Sequence, residues 1–384
     1  MKKYLLTCVL LTAALTVCAQ DEGIKLKDLA VPNSPAFILT DITPTLVQTP
    51  NTPKKFILGV AQSFGNSSSG FPDNYSAEFA PYWFLNGSKQ NVYSALGLQT
   101  RVNDEGKLIP GYKEDVFSGL KFTSISIAFI NKDLIPDGTD QAHKVFAIGL
   151  KTTIIKVQQS GSAGKMLNKI KKWHADALTD IAQYQDALAR DKPQSFVDSL
   201  VKAIALRKAN DSLDLSKQIN DYIQEKPKFS WDVAGAYATY GIGDADWQPG
   251  RSGVWTTVST YLPLASATGG PSKNYFNMNV SARSLWDNYT KNDAGLIVKS
   301  TAFDIGGKAG LDFDGFSIGV ESLYRHINGK AGNENRTVGV LSYKIADSIY
   351  LMGAFGKNFQ SQSKSIALFG INWGLGNEKV DISK

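Results

Sequence analysis

Ser300–Leu311 reads STAFDIGGKAGL, and after Asp312-Phe313-Asp314-Gly315 the chain continues FSIGVESLYRH from Phe316 to His326. One face of the first run is Thr301, Phe303, Ile305, Gly307, Ala309 and Leu311. The other is Ala302, Asp304, Gly306, Lys308 and Gly310. In the second run Ile318, Val320 and Tyr324 face one way, and Ser317, Gly319, Glu321 and Arg325 the other. Two runs of period two around a short Asp/Gly turn read as an antiparallel hairpin. The same period recurs at Phe276, Met278, Val280 and Ala282 against Asn277, Asn279, Ser281 and Arg283. It recurs again at Phe146, Ile148, Leu150 and Ile154 against Ala147, Gly149, Lys151 and Thr153. A half-buried soluble sandwich shows this alternation as well as a membrane barrel does, so the direction of polarity needs other features.

Three features favour a transmembrane barrel. Aromatic residues gather near strand ends (Phe56, Phe64, Tyr82, Trp83, Trp231, Trp255, Tyr275, Trp286, Tyr324, Tyr350, Trp373), where interfacial girdles place them. Tight turns at Asp312–Gly315 and Ala346–Ser348 alternate with longer polar connections at Asn66–Asn74, Asp244–Gly253 and Asn328–Asn335. The last dyad run sets Phe369, Ile371, Trp373 and Leu375 against Gly370, Asn372 and Gly374. The expectation is a mainly β chain: one antiparallel barrel of about twelve strands, an even number. They fall near 55–64, 75–85, 117–130, 144–156, 230–242, 254–264, 275–286, 300–311, 316–327, 336–345, 349–359 and 365–375. Fourteen would follow if Gly87–Val116 held another hairpin. Pro81 and Pro263 fit such strands only at rims or bulges.

Composition narrows the class. In 384 residues, 43% are hydrophobic, 11% aromatic and 20% charged, which excludes a disordered chain. No internal run of eighteen or so uninterrupted apolar residues exists, which excludes a polytopic helical membrane protein. Lys2 and Lys3 followed by the apolar Tyr4–Val17 read as a signal peptide over 1–19, ending Val17-Cys18-Ala19. Lipoprotein processing at Cys18 is the rival reading. Both cysteines, Cys8 and Cys18, lie in this leader, so the mature chain would carry no disulfide or thiol. Losing Lys2 and Lys3 changes 41 basic against 35 acidic residues to 39 against 35, a balance that argues against nucleic-acid binding.

The mature chain divides in order. A proline-rich arm or plug over 20–54 is too proline-broken for regular structure, and barrel strands follow over 55–157. A helical insertion occupies 158–228, more strands span 229–376, and 377–384 is a tail.

The Pro32-Asn33-Ser34-Pro35-Ala36-Phe37 lead-in, the dyad strands and Gly370-x-x-Trp373-x-Leu375 together resemble the outer-membrane β-barrel proteins exported by Bacteroidetes-type bacteria, porin-like and functionally unassigned. The resemblance covers the leader and the strand region. It implies a Gram-negative outer membrane, contact with its lipid, and a barrel-assembly signal at Gly370, Trp373 and Leu375 read by the insertion machinery. The tail beyond Leu375 departs from that pattern, since such a signal usually ends the chain. No active-site motif comes with the resemblance.

Within the insertion, Leu167, Ile170, Trp173, Ala177/Leu178, Ile181, Tyr184 and Leu188 recur at helical spacing. After Pro193 a second stripe holds Phe196, Leu200, Ala203/Ile204, Leu213, Ile219 and Tyr222/Ile223, with Asn210-Asp211-Ser212 expected to dent the helix. Two antiparallel helices can bury these stripes against each other. Strand parity places the hairpin and both tight turns on the periplasmic rim. Trp173, Tyr184, Phe196 and Tyr222 are candidates for contact with a periplasmic protein or with peptidoglycan, against capping of the barrel mouth.

The lumen positions read from parity include Glu78, Lys151, Asp232, Arg283, Asp304, Lys308, Glu321, Arg325 and Lys344, of mixed sign. Others are small, such as Gly59, Ala61, Gly149, Ala234, Ala238 and Gly370, leaving room for solute or for the 20–54 arm. Enzyme chemistry is weakly signalled. His143, His174 and His326 are too dispersed for a metal cluster, and Asp137–Asp140 lacks a calcium-loop pattern. Ser322 and His326 share a strand face but lie roughly 13 Å apart, beyond a hydrogen bond. Neither a cofactor nor a metal is expected. A narrow channel for small polar solutes and a non-conducting scaffold for an envelope complex remain as the two readings, with a lipid-acting enzyme as a remote third.

Overall fold

The computed structural model describes residues 24–25, 33–50, 56–64, 74–82, 93, 96–105, 108–132, 143–159, 162–223, 225–242, 246–264, 272–291, 294, 296–329, 332–346, 349–359, 365–375 and 379–380. The leader expected at 1–19, the carboxylates at 137–140 and most of the polar loop at 66–74 lie outside the described residues.

Sixteen strands are described, in chain order. They are β1 (Ile24–Lys25), β2 (Phe56–Phe64), β3 (Asn74–Phe79), β4 (Leu98–Val102), β5 (Leu108–Glu114), β6 (Ser124–Lys132), β7 (His143–Val157) and β8 (Phe229–Ile242), followed by β9 (Asp246–Pro263), β10 (Tyr275–Lys291), β11 (Ile297–Phe313), β12 (Phe316–Ile327), β13 (Asn333–Ala346), β14 (Ile349–Lys357), β15 (Ser365–Leu375) and β16 (Lys379–Val380). Twelve close into an antiparallel barrel in the order β2-β3-β6-β7-β8-β9-β10-β11-β12-β13-β14-β15. Closure comes from β15 on β2, running from Leu375↔Phe56 to Ala367↔Phe64.

The stretch that left fourteen strands open forms β4 and β5, which pair only with each other and stand outside the barrel. Pro81 lies beyond the end of β3 and Pro263 is the last residue of β9, so neither interrupts a ladder. The polar stretch Asp244–Gly253 is not a long loop. Ile242↔Asp246 and Gly241↔Trp247 pair across the top of a β8–β9 hairpin joined by 243–245.

Polarity is reversed relative to a soluble core. Outward positions are apolar and exposed: Val254 and Val258 on β9, Met278 and Val280 on β10, Phe303 and Ile305 on β11, Ile318 and Val320 on β12, and Leu341 on β13. The inward residues of the same strands are polar and buried, including Thr257, Ser259, Asn277, Asn279, Ser281, Arg283, Asp304, Glu321 and Arg325. Outward aromatics form two bands. Trp231, Phe313, Phe316 and Tyr343 lie toward one rim, and Tyr237, Trp247, Trp286 and Tyr324 toward the other. Phe316 to Tyr324 spans about 27 Å along β12, or about 20 Å along the barrel axis at the usual strand tilt. Three of the expected girdle residues face inward instead: Trp255, Tyr275 and Tyr350 are buried. Their own dyad decides this, because Trp255 is in phase with Thr257, and Tyr275 with Asn277.

One rim carries the β11–β12 and β13–β14 turns, the whole 80–123 excursion and two helices, α2 (Ser162–Ala189) and α3 (Gln194–Ile223). We call it the near rim. Short turns and long excursions thus share this rim, rather than dividing between the two. Asp191, at φ 45°, lies in the bend between the helices. Asp180 meets Arg207 and Lys169 meets Gln218 across the pair. At its base the pair packs on the β4–β5 sheet: Met166, Ile170, Leu215, Ile219 and Tyr222 cluster with Ala80, Leu96, Leu98 and Phe122.

Away from that base the two apolar stripes are not mutually buried. Leu178, Ile181, Leu188, Phe196 and Leu206 are exposed, because no third layer covers them among the described residues. The dent expected at Asn210-Asp211-Ser212 is absent, and α3 is continuous there. Asn210 and Asp211 are exposed. Among the described residues, no helix is long and apolar enough to cross a membrane.

Candidate functional site

Residues 33–48 sit inside the barrel, nearly all of them buried. Proline does not prevent regular structure here. Pro35 occupies the first turn of α1 (Pro35–Leu39), where its missing N–H costs nothing. The wall makes room with small residues: a Cβ on Gly149 would lie 2.7 Å from Pro35, and one on Gly253 would lie 3.1 Å from Leu39. Phe37, Ile38 and Leu39 pack against Ala61, Ala128, Ala147, Ala234, Ala238, Trp255 and Leu285. Leu46 and Val47 pack on Leu323 and Phe359. Each such side chain contributes about 1.5–3 kcal/mol of apolar burial.

After α1 the segment turns back at Asp41, whose φ of 56° is left-handed, a conformation that Asp tolerates better than most residues. Asp41 is the apex. Its carboxylate accepts from Arg283 Nη2 at 2.7 Å, Arg325 Nη2 at 2.9 Å and Arg251 Nη1 at 3.2 Å. These arginines belong to a row built by strand register. Arg283 lies opposite Asp304, which lies opposite Arg325, and Arg251 lies opposite Asp287. Asp304 binds the Nε of both Arg283 (2.8 Å) and Arg325 (2.7 Å), and Asp287 accepts from Arg251 Nε at 2.9 Å. Arg283 and Arg251 also donate to the last carbonyls of α1, Ile38 (2.7 Å) and Leu39 (3.2 Å). Arg325 stacks 3.7 Å above the Phe359 ring.

A second anchor holds the returning limb. Glu321 accepts from Thr45 Oγ1 and from the backbone N–H groups of Leu46 and Val47, both at 3.0 Å. Arg336 Nε binds Glu321 at 3.0 Å, and its Nη2 donates to the carbonyl of Pro44 at 2.7 Å. Both charged residues are completely buried. Trp255 Nε1 donates to Gln48 at 2.6 Å, and Thr43 donates to Asn33 at 2.7 Å, tying the two limbs together.

Of the nine charged positions read from parity, Arg283, Glu321 and Arg325 bind the inserted segment, and Asp304 holds Arg283 and Arg325. Glu78 and Lys151 form a separate buried pair at 3.2 Å, and Asp232 is bonded by Thr153 and Ser230. Lys308 and Lys344 are half-buried nearer the near rim. Four residues of the site carried no flag in the sequence: Asp41, Arg251, Asp287 and Arg336. Arg251 was hidden in a presumed loop, and Asp287 and Arg336 sit just past or at the start of their expected strands.

Gly370 is buried in β15, 3.6 Å from Pro44 as a Cβ would see it, and Trp373 is paired with Leu58. Leu375 ends the strand opposite Phe56. Among the helix candidates, Tyr222 is buried in the base cluster, with its hydroxyl toward the Leu96 carbonyl, so it is closed to a partner. Trp173 is half-buried against the same cluster, Tyr184 is half-buried, and Phe196 is exposed. Ser322 and His326 are not brought together: Ser322 contacts Thr337 at 3.2 Å and His326 contacts Asn333 at 3.0 Å.

No protein-family model and no curated protein matches the sequence. Solved structures with a similar backbone include the transport unit of the autotransporter AIDA-I from Escherichia coli, at 8% identity over 90% of this chain and 100% of that one, TM-score 0.28. The outer membrane protein OmpT of Vibrio cholerae is 7% identical over 86% of this chain and 99% of its own, TM-score 0.26. The toluene transporter TbuX of Ralstonia pickettii is 8% identical over 91% and 97%, TM-score 0.25. At such scores they carry no argument about this chain.

Proposed function

We propose that the protein is a Gram-negative outer-membrane barrel acting as a gated conduit for small polar solutes, held closed by residues 33–48. The observation that carries this reading is how the segment is attached. The wall holds it through wall side chains, which meet the Asp41 and Thr45 side chains and backbone groups of Ile38, Leu39, Thr43, Pro44, Leu46 and Val47, and none of residues 33–48 joins the strand ladder. The segment can therefore leave while all twelve strands stay paired. The small wall residues that make room for it would then line an aqueous bore of mixed charge. The apolar, aromatic-banded exterior supports a lipid setting, and the near rim is assigned to the periplasm because it carries the tight turns. A cleaved leader, delivery by the insertion machinery and membership of the Bacteroidetes-type barrels belong to the same proposal.

Planar-bilayer conductance of the folded protein, with and without residues 20–54, tests it. The full chain should conduct rarely, and the shortened one in steady, larger steps. Silence from both, with the β-barrel confirmed by circular dichroism, would remove the conduit reading.

A second reading has its own observation. Leu178, Ile181, Leu188 and Phe196 leave an uncovered apolar stripe on the distal half of the helices. This favours an accessory role in which 164–225 contacts a periplasmic protein or peptidoglycan. Loss of a co-purifying partner on deleting those residues would support it, and retained binding would sink it.

A further inference from the structure

Asp41 completes the hydrogen bonding of three wall arginines. The wall supplies Arg251, Arg283 and Arg325 against Asp287 and Asp304, all of them buried. A third buried wall carboxylate, Glu334, lies opposite Arg325 in the β12–β13 register, so Asp41 is an added carboxylate at a place where three arginines converge. The wall carboxylates are already engaged: Asp304 bridges Arg283 and Arg325, and Asp287 holds Arg251. Asp41 is thus met by three guanidinium N–H groups that converge on one carboxylate-sized place, within 2.7 to 3.2 Å of its two oxygens. Buried N–H donors that lose their acceptor are costly, and guanidinium groups bind carboxylates with the strongest of the common hydrogen bonds. With the segment withdrawn, the seat would select an anion.

We propose that Arg251, Arg283 and Arg325 form a binding seat for the carboxylate of a small anionic solute. Asp41 fills the seat at rest, and the solute frees the segment by taking its place. The displacement step rests on the gated reading above; the seat does not.

Asp41→Gly tests the seat directly, because glycine suits the left-handed φ and removes the CH2–COO⁻ side chain. Acetate has the chemistry of the missing CH2–COO⁻ and is the probe. Thermal unfolding of the full-length variant in detergent should shift upward by a few degrees in a saturable manner with acetate. Acetamide, and chloride at matched ionic strength, should not reproduce the shift, and Arg283→Gln in the same background should abolish it. Equal behaviour in acetate and acetamide overturns the seat. Should the variant not fold, refolding yield is read instead: rescue by acetate alone supports the seat, and equal failure in both overturns it.

For the displacement step, the wild-type chain in a planar bilayer should open more often in acetate than in chloride. Acetate binding to the variant without such opening overturns displacement. If the chain lacking residues 20–54 is also silent, the conduit reading falls with it while the seat stands.

Discussion

The Glu321–Arg336 pair and the Asp41 apex both fasten one segment to one wall, yet they share the work differently. At Glu321 both charges belong to the barrel, and the segment contributes hydroxyl, N–H and carbonyl groups from Thr43 to Val47. Emptying that anchor leaves a neutral ion pair. At the apex the segment supplies a carboxylate of its own, so emptying it leaves three guanidinium N–H groups without their acceptor. The first anchor is therefore part of the barrel that also holds the segment, and the second is complete only while the segment, or something like it, is seated. Barrel integrity and segment retention should be separable by mutation.

The largest effect is expected at the wall-owned pair. Glu321→Ala leaves Arg336 fully buried without its carboxylate, which costs about 3–5 kcal/mol when one partner of such a pair is removed. The loss should appear as a lower guanidinium midpoint for the whole barrel. Glu321→Leu with Arg336→Leu should recover most of it while still loosening the segment. A double variant as unstable as the single one would break the contrast, since the pair would then not be a self-contained unit.

Asp41→Asn comes next, at about 2 kcal/mol, the scale of a charge-assisted hydrogen bond network losing its ionic partner. Here the expected readout differs in place as well as size. Protease should cut within 33–48 sooner while the barrel midpoint moves little. A matching fall in the barrel midpoint would mean that the apex is as much barrel structure as the Glu321 anchor. Third is Gly149→Ala, whose new Cβ would lie 2.7 Å from Pro35 and 3.0 Å from the Ala36 nitrogen. Overpacking of this kind costs about 1–2 kcal/mol. Most of the cost should vanish in a chain lacking residues 20–54, leaving only the 2.8 Å approach to the rotatable hydroxyl of Ser126 on the wall.

What could be read in advance follows the same division. The twelve strands were legible because each carries its own dyad, a signal contained within about ten residues. The inward charges on β11 and β12 came with it. Trp255 was misread where a rule about aromatic residues at strand ends overrode the phase shared with Thr257. Asp41 could not be read at all. Its partners lie 210, 242 and 284 residues away, and no local pattern reports an ion pair closed across a lumen. Proline spacing suggested an extended arm, and only the apposition of its apolar Phe37–Leu39 with wall alanines and glycines shows why it goes inside. The β4–β5 pair was ambiguous for a related reason, since strand propensity does not say whether a hairpin joins the barrel or stands beside it.

The smallest effect tests whether the two anchors release together. Trp255→Phe keeps an aromatic ring among Ala234, Ala238 and Leu285 but removes the 2.6 Å donor to Gln48. About 1 kcal/mol should be lost from segment retention, as for one buried hydrogen bond. Combined with Asp41→Asn, the two losses add if each limb is seated independently, and couple by more than about 0.5 kcal/mol if the segment leaves as one body. A conduit gated by displacement at Asp41 needs the second outcome, because freeing the apex alone would leave Thr43–Gln48 lodged in the bore. Strict additivity in protease-cleavage free energies would therefore separate the anchors and confine any acetate effect to the apex.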